Sequence, residues 1–225
     1  MTETAAAFAA WGARRDPPPL AAGTVHVWLV DLGTGPPQAR ELLDGSERER
    51  AARIVDPLRR DRFVAVRALL RELLGRYAGA DPRGLVLTGG DDRKPALAAG
   101  AAGAPEFNVS HSGAHALLAF SAAGPVGVDL ERARALRAPL ALARSALGEQ
   151  VVAELSALPA EERDAAFLRA WTRREAAVKL TGEGLRGGSP ASPWIQELPV
   201  GAGVSAALAL RDAPAALLLL ERVPD

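Results

Sequence analysis

Strand-like and helix-like patterns recur in the same order in both halves of the chain, and this order limits the possible folds more than any other feature. Each half combines short apolar runs, rich in β-branched and aromatic residues, with one long amphipathic segment. The strand patterns cover residues 24–30, 85–87, 107–112, 116–120, 126–131, 204–210 and 215–223, and the helical patterns cover about 59–77 and 160–180, with a shorter helix starting near 149. These patterns predict an α+β fold, and a duplicated architecture fits their order.

Capping and turn residues set the expected limits of these elements. Ser46, with Glu49 three residues later, has the spacing of a capping box at the start of a helix. Gly182 follows the second long helical pattern, as a C-terminal cap does. The last two strand patterns flank Pro214 and are predicted to pair as a hairpin.

The length of 225 residues suits one large domain or two small ones. Residues 1–22 contain a run of prolines and are expected to form a flexible N-terminal extension. Residues 23–123 are expected to form an N-terminal α+β subdomain, and residues 124–225 a C-terminal one.

The composition excludes several classes of protein. The chain has no cysteine, which rules out disulfides, thiolate nucleophiles and cysteine-ligated zinc and fits a reducing cytoplasm. Its 27 basic and 27 acidic residues cancel, so nothing draws it generally to nucleic acid or to an anionic membrane. The apolar runs are far shorter than the ~20 residues of a membrane span, and the first residues lack a secretory signal. We therefore expect a cytoplasmic protein without nucleic-acid or membrane partners.

Lysine and asparagine are unusually rare in this arginine-rich chain. The only lysines are Lys94 and Lys179, and the only asparagine is Asn108. Lysine provides a compact charge on a flexible stem, which arginine does not replace at every site. These three positions are therefore candidates for function.

Asp129 and Glu131 form the first candidate site. They lie at alternate positions of a strand pattern and therefore point to the same face. Carboxylates at this spacing can share a divalent cation such as Mg²⁺. The alternative is a half-buried strand with a solvated acidic face, which is common in antiparallel sheets.

Glu175 interrupts the apolar stripe of the second long helical pattern. Leu168, Trp171 and Val178 share its stripe at steps of three and four residues. A buried acid needs a cation, a metal or a polar cleft, and Lys179, one turn later, can supply charge to the same place. The alternative is an ordinary surface salt bridge between residues four apart.

Three further segments can bind anions, although each is nonspecific alone. Ser110 and His111 place a hydroxyl and an imidazole at a strand end, next to a glycine-containing turn. A basic loop covers residues 93–95, and a set of arginines covers 48–71. The chain lacks the Gly-x-Ser-x-Gly motif of many serine hydrolases, and its histidines have no third zinc ligand nearby.

Three of these segments follow one another as motifs. They are Phe107-Asn108-Val109-Ser110-His111-Ser112-Gly113, Val126-Gly127-Val128-Asp129-Leu130-Glu131 and Trp171-Thr172-Arg173-Arg174-Glu175-Ala176-Ala177-Val178-Lys179. Together they resemble the motif series of the Sfp-type 4′-phosphopantetheinyl transferases. The strand that begins at Val25, the Lys94-Pro95 loop and the Gly182-Glu183-Gly184-Leu185 segment also resemble that family, so the resemblance covers about residues 24–223.

The resemblance implies a pseudo-dimer of two similar α/β subdomains, with coenzyme A bound in the cleft between them. It implies a Mg²⁺-dependent transfer of the phosphopantetheine arm of coenzyme A to a serine of an acyl or peptidyl carrier protein, with release of 3′,5′-ADP. Carriers of this kind serve fatty-acid synthesis and secondary metabolite biosynthesis. Because a pseudo-dimer already pairs two halves, a monomer is the simplest expectation.

The resemblance also implies roles for individual residues, by motif position. The implied metal ligands are Asp129, Glu131 and Glu175, in the C-terminal subdomain. The implied contacts with coenzyme A are made by Arg48, Arg50, Lys94, Pro95, Ser110, His111 and Lys179. Catalysis would rest on Asp129, Glu175 and Lys179, with Glu175 as our hypothesis for the general base. The chain departs from the family pattern at Arg93, where glycine is usual, and at Arg174, where lysine is common.

Two other functions stay open. One is a non-catalytic module that binds coenzyme A or a carrier protein, although the complete set of carboxylates and lysine argues against it. The other is a Mg²⁺-dependent phosphohydrolase that uses the same carboxylates with water as the acceptor.

Overall fold

The computed structural model describes residues 11–34, 38–89, 95–98, 104–182 and 192–222. The strands in these ranges are β1 (Gly12–Arg14), β2 (Thr24–Asp31), β3 (Leu87–Thr88), β4 (Ala96–Leu97), β5 (Glu106–Ser112), β6 (His115–Ser121), β7 (Val126–Arg132), β8 (Trp194–Glu197), β9 (Val204–Leu210) and β10 (Ala216–Arg222). The α-helices are α1 (Ala39–Leu42), α2 (Gly45–Arg53), α3 (Pro57–Ala78), α4 (Pro139–Ala146), α5 (Glu149–Ser156) and α6 (Ala160–Thr181). The predicted α+β class is confirmed.

Two main sheets organise the described part of the chain. The larger has the strand order β1-β10-β2-β6-β5, with β10 parallel to both β1 and β2 and the other pairs antiparallel. The smaller is antiparallel, with the order β7-β9-β8, and β3 pairs with β4 in a separate two-stranded ladder. Strands β5 and β7 therefore each lie at an edge of their sheet.

The expected C-terminal hairpin is wrong, because β9 and β10 belong to different sheets. β9 pairs with β7 and β8, whereas β10 lies between β1 and β2. The leucines of β10 explain this position: Leu218 and Leu220 pack in one core, and Leu217 and Leu219 pack in another. A strand that is apolar on both faces is buried on both only inside a sheet, where parallel neighbours are usual.

Part of the N-terminal segment that was expected to be flexible joins the larger sheet. β1 pairs with β10, with Gly12 opposite Leu220. Trp11 precedes the strand and donates a hydrogen bond from Nε1 to the carbonyl of Pro199 at 2.7 Å. These contacts attach residues 11–14 to both the end of the chain and the loop after β8.

The elements stack in four layers, in the order α3, larger sheet, smaller sheet and α6. On β2, Trp28 and Val30 pack in the core beneath α3, whereas Val25 and Val27 pack in the core between the two sheets. Strand β7 contributes Val126, Val128 and Leu130 to that second core. The alternation along β2 is what a strand buried on both faces requires.

Helix α6 covers the outer face of the smaller sheet. Its small residues Ala176 and Ala177 pack with Leu180 against Ala207 and Ala209 of β9. Each sheet thus carries one helix of 22 residues, α3 on the larger and α6 on the smaller. No helix in the described ranges has the length and apolarity needed to cross a membrane.

The capping box at the start of α2 is not the expected one. Asp44 is the N-cap, and its carboxylate accepts the backbone N–H of Glu47 at 2.9 Å, while Glu47 accepts the N–H of Asp44 at 3.1 Å. Ser46 instead donates its hydroxyl to Asp44 at 2.8 Å. A carboxylate makes stronger, charge-assisted bonds to the helix N-terminus than a serine hydroxyl does.

A buried ionic network ties α2 to α3. Arg71 is fully buried and donates to Glu47 at 2.5 Å, and it also pairs with Asp44. Arg67 donates to the other oxygen of Glu47 at 2.7 Å. The carbonyl of Leu85 accepts a further bond from Arg71 at 2.9 Å, which connects the helices to the segment before β3.

Candidate functional site

Strands β5 and β7 meet through side chains. Alternate residues of β5 accept backbone N–H groups of β7: Asn108 accepts from Val128 at 2.9 Å, Ser110 from Leu130 at 3.2 Å and Ser112 from Arg132 at 3.1 Å. The constant offset of 20 residues means that the two strands run parallel and in register. This side-chain ladder joins the edges of the two sheets and places the first and second motifs side by side.

Ser110, Asp129 and Lys179 form a compact cluster at the middle of this ladder. The Ser110 hydroxyl donates to Asp129 Oδ1 at 2.8 Å and accepts from Lys179 Nζ at 3.1 Å. Lys179 Nζ also lies 2.6 Å from Asp129 Oδ1. Asp129 is buried and Lys179 is about one-third exposed, so a partly exposed ammonium group pairs with a buried carboxylate. The three motifs therefore converge here.

Glu175 lies one helical turn before Lys179 and completes the acidic part of the site. Burial raises the pKa of Glu175, and the nearby Asp129 carboxylate raises it further, while Lys179 and Arg174 act in the opposite direction. Glu175 Oε1 and Asp129 Oδ2 are both buried and have no hydrogen-bond partner among the described residues. Buried acid oxygens without hydrogen-bond partners are costly unless a cation compensates them.

Glycine at position 127 lets α6 approach β7 closely enough to form this cluster. A Cβ atom at Gly127 would lie 2.0 Å from the carbonyl oxygen of Ala176 and 2.6 Å from the nitrogen of Leu180. No larger residue fits that distance. Because Gly127 and Asp129 lie on the same face of β7, the close approach also sets the distance from Asp129 to the side chains of α6.

Glu131 occupies the next position on that face of β7 and has its own partners. Its Oε2 atom accepts the hydroxyl of Ser112 at 3.0 Å and the guanidinium of Arg134 at 2.8 Å. The charge of Glu131 contributes to the raised pKa of Glu175. Across the described ranges, no group of three or more His, Cys, Asp or Glu side chains has the arrangement of metal ligands.

A metal ion nevertheless suits the donor set. Carboxylate oxygens are the ligands that Mg²⁺ prefers, and the two unbonded buried oxygens of Asp129 and Glu175 are the atoms a cation would satisfy. Glu131 is the additional carboxylate within electrostatic reach. The three implied metal ligands thus stand on two neighbouring elements, with Asp129 and Glu175 the better supported pair.

Basic side chains surround the exposed face of the cluster. Partial loss of solvation lowers the pKa of His111, and the positive charges of Lys179, Arg50 and Arg62 lower it further. The guanidinium of Arg50 lies over the ring of Phe63, 5.0 Å from its centroid. Positive charges from α2, α3 and α6 therefore act on the imidazole of β5, and such a group of charges suits a ligand that carries several phosphates.

Of the remaining residues predicted to bind coenzyme A, the structure describes Arg48 and Pro95. Arg48 is exposed and donates to the carbonyl of Leu43, which precedes the N-cap of its helix. Pro95 is half-buried directly before β4 in the small ladder. Lys94 and Arg93 lie outside the described residues, as does the segment that follows Gly182. Their roles stay predictions.

Sequence reasoning missed some residues that shape the site. Gly127 and Ser112 were inside the recognised motifs but received no role, and Arg62 was one arginine among many. A glycine inside a strand pattern often marks a close backbone approach, which was the available signal for Gly127. Asn108 and the two serines at every second position share one strand face, and that spacing could have indicated a common partner.

Comparison with known proteins assigns these motifs to a family. A family model described as the 4′-phosphopantetheinyl transferase superfamily matches residues 125–213. HetI, a 4′-phosphopantetheinyl transferase of Nostoc sp., is 33% identical over 210 residues, which are 92% of this chain and 85% of HetI. A Synechocystis sp. protein, provisionally named a 4′-phosphopantetheinyl transferase, is 37% identical over 152 residues, 68% of this chain and 62% of that protein. The 4′-phosphopantetheinyl transferase AcpT of Escherichia coli is 40% identical over 130 residues, 55% of this chain and 59% of AcpT.

Proposed function

Because the chain belongs to the 4′-phosphopantetheinyl transferase superfamily, we propose that it transfers the 4′-phosphopantetheine arm of coenzyme A to a serine of an acyl or peptidyl carrier protein. The observation that carries this proposal is the convergence of Asp129, Glu175 and Lys179 beneath a rim of basic side chains. The acids can hold a cation or accept a proton, and the lysine and arginines can neutralise the charge of a diphosphate under attack. The second product is 3′,5′-ADP.

The transfer needs a group that accepts the proton of the carrier serine. The carrier serine oxygen forms a bond to the phosphorus that bears the pantetheine arm, and the bond from that phosphorus to the oxygen of 3′,5′-ADP breaks. The serine proton passes to Glu175, whose raised pKa brings its basicity closer to neutral pH than that of an ordinary glutamate. The enzyme itself forms no covalent intermediate.

The cations bind and orient the donor. Lys179 approaches the diphosphate from α6, where it also neutralises Asp129 at 2.6 Å. Arg50 and Arg62, whose charges act on His111, suit the outer phosphates of coenzyme A, and His111 can donate a hydrogen bond from its neutral ring. Fixed positive groups aimed at developing negative charge stabilise the transition state of phosphoryl transfer.

A divalent cation fits the acidic end of the site. Asp129 and Glu175, with Glu131 as the third carboxylate, are the residues that would hold Mg²⁺. When bound, Mg²⁺ supplies positive charge that offsets the negative charge accumulating on the diphosphate.

The proposal extends to the setting of the enzyme. The two sheets with their long helices are proposed to be the halves of a pseudo-dimer, 23–123 and 124–225, with coenzyme A between them. Strand β10 of the second half crosses over and pairs within the larger sheet. A chain that contains both halves needs no second copy, so we propose a monomer. The absence of cysteine in the sequence supports a cytoplasmic location.

The test is the intact mass of an apo carrier protein after incubation with the chain, coenzyme A and Mg²⁺. A gain of one phosphopantetheine arm, abolished by EDTA, is the expected result. Glu175→Gln should lower the transfer rate by about 10²–10⁴-fold, the usual contribution of a general base. Glu154→Gln, which alters an exposed acid of α5 that pairs with Gln150, is the matched control and should transfer normally.

Other outcomes identify the rival functions. Breakdown of coenzyme A at a rate that added carrier does not change would support the phosphohydrolase. Binding of coenzyme A without any change of carrier mass, across fatty-acid, polyketide and peptide carriers, would support the binding module. Near-normal transfer by Glu175→Gln would remove Glu175 from the role of base.

A further inference from the structure

We propose that Ser112 is a positioning residue, which holds Glu131 in the orientation that the metal site requires. This inference rests on the proposed function, because it concerns one of the three carboxylates assigned to Mg²⁺. Ser112 is the last rung of the ladder between β5 and β7, and it has so far had no role.

Ser112 repeats the bonding of Ser110 two residues later. The Ser110 hydroxyl donates to Asp129 and accepts the N–H of the following residue, Leu130. In the same way, the Ser112 hydroxyl donates to Glu131 at 3.0 Å and accepts the N–H of Arg132 at 3.1 Å. Each serine therefore fixes one carboxylate and the backbone directly after it.

This repetition couples the register of the two sheets to the orientation of the acids. A hydroxyl has one donor, so the proton that Ser112 gives to Glu131 is directed only when its acceptor side is held by the β7 backbone. Both strands lie at sheet edges, and β5 and β7 are joined here by side chains. A slip of β5 against β7 would therefore break the bonds to both carboxylates together.

Arg134 shows why Glu131 needs a second partner. Its guanidinium contacts the same oxygen, Oε2, at 2.8 Å, but the Arg134 side chain is 47% exposed, against 23% for Glu131. An exposed pair between residues three apart is weak and easily exchanged with water. The Ser112 hydroxyl is tied to the backbone and so provides the fixed contact.

The experiment measures metal binding directly. Mn²⁺ replaces Mg²⁺ as the probe, and its binding to the full chain with coenzyme A is followed by loss of the free-ion electron paramagnetic resonance signal. We expect Ser112→Ala to weaken Mn²⁺ binding about tenfold, within the range for partners of metal ligands. Ser112→Thr keeps the hydroxyl and should bind Mn²⁺ within about twofold of the parent chain.

Ser121→Ala is the matched control. Ser121 is buried in the same hairpin and its hydroxyl likewise accepts a backbone N–H, that of Ala123 at 3.1 Å. It lies at the opposite end of β6, about 20 Å from the turn that follows Ser112. Its loss should lower thermal stability without changing Mn²⁺ binding.

The outcomes separate this inference from the function it rests on. If Ser112→Ala melts at a lower temperature but binds Mn²⁺ like the parent chain, the residue is only structural and the inference is overturned. If the parent chain itself binds no Mn²⁺, both the inference and the proposed metal site are wrong. If the parent chain binds Mn²⁺ but does not change the intact mass of the carrier, the result would contradict the transferase alone.

Discussion

At the scale of single residues, the surroundings of Glu175 alter the ionisation of its carboxyl group. Burial and the charge of Asp129 favour the protonated form, whereas Lys179 and Arg174 favour the carboxylate. The balance raises the pKa of Glu175. Glu175 can accept a proton only as the carboxylate, so transfer activity should fall as the pH falls through its raised pKa.

Arg174 offers a way to move that pKa without touching the reacting groups. Arg174→Gln removes a positive charge that lowers the pKa of Glu175, so the pKa should rise and the acid limb of the kcat/KM profile should move to higher pH. Arg173→Gln is the matched control, because Arg173 is an exposed neighbour whose guanidinium lies 3.5 Å from Glu197. An acid limb that stays in place for Arg174→Gln would contradict Glu175 as the titrating base.

At the scale of elements, the contact between β7 and α6 depends on a missing side chain. Gly127→Ala would place a methyl group 2.0 Å from the carbonyl oxygen of Ala176, and backbone cannot move aside as a flexible side chain does. We expect a loss of about 1–3 kcal/mol in the free energy of unfolding, or more, and a larger loss of transfer activity. Urea denaturation and the carrier mass assay measure the two effects.

Gly45→Ala is the control for that change. Gly45 lies in α2, and an added Cβ would meet nothing within 4 Å. Alanine favours helix over glycine by about 0.5–1 kcal/mol, so this variant should be as stable as the parent chain or more so. Equal stability of the two variants would show that β7 and α6 are further apart than described.

The ionic network between α2 and α3 predicts a second effect at this scale. Arg71→Met leaves the buried carboxylate of Glu47 with fewer partners, and breaking a buried pair from one side costs about 3–5 kcal/mol. Arg83→Met breaks an exposed pair with Glu41, which is worth at most about 1 kcal/mol. The two free energies of unfolding from urea titrations should differ accordingly, and similar values would rule out a stabilising role for the network.

At the scale of the whole molecule, a buried histidine couples stability to pH. His26 lies on β2, and its Nδ1 is 2.8 Å from the hydroxyl of Tyr77, which accepts a bond from Trp28 Nε1 at 3.0 Å. The Tyr77 oxygen keeps a second lone pair, so the direction of its bond with His26 Nδ1 depends on the tautomer of the ring. Burial lowers the pKa of His26 from 6.5 to about 4, and the charge of Arg14 lowers it further.

The sign of the effect follows from that direction. Above about pH 6.5 the ring is neutral in both folded and unfolded chains, and the contribution of His26 to the free energy of unfolding is fully present. As the pH falls from 6.5 towards 4, the unfolded chain binds the proton first, and stability decreases by up to about 3 kcal/mol. His26→Gln should flatten this slope in urea titrations between pH 7 and 4. Equal slopes for the variant and the parent chain would contradict a neutral His26.

The local patterns predicted most elements and the acidic face of the site. The spacing of apolar residues placed α3 and α6 nearly at their observed bounds, and the alternation of β7 placed Asp129 and Glu131 on one face. The apolar stripe of α6 indicated that Glu175 turns inward, and its Oε1 is indeed buried. These features depend on backbone periodicity, which the sequence displays directly.

What the sequence determined by itself, then, is most of the elements, the motifs and the family, because each rests on residues near one another along the chain. The tertiary structure alone decided that β10 lies beside β2, that Ser110 meets Asp129 and Lys179, and that α6 approaches β7 over Gly127. Strand partners are set by the burial of both strand faces, and that depends on the rest of the molecule. The site exists only where separate elements meet.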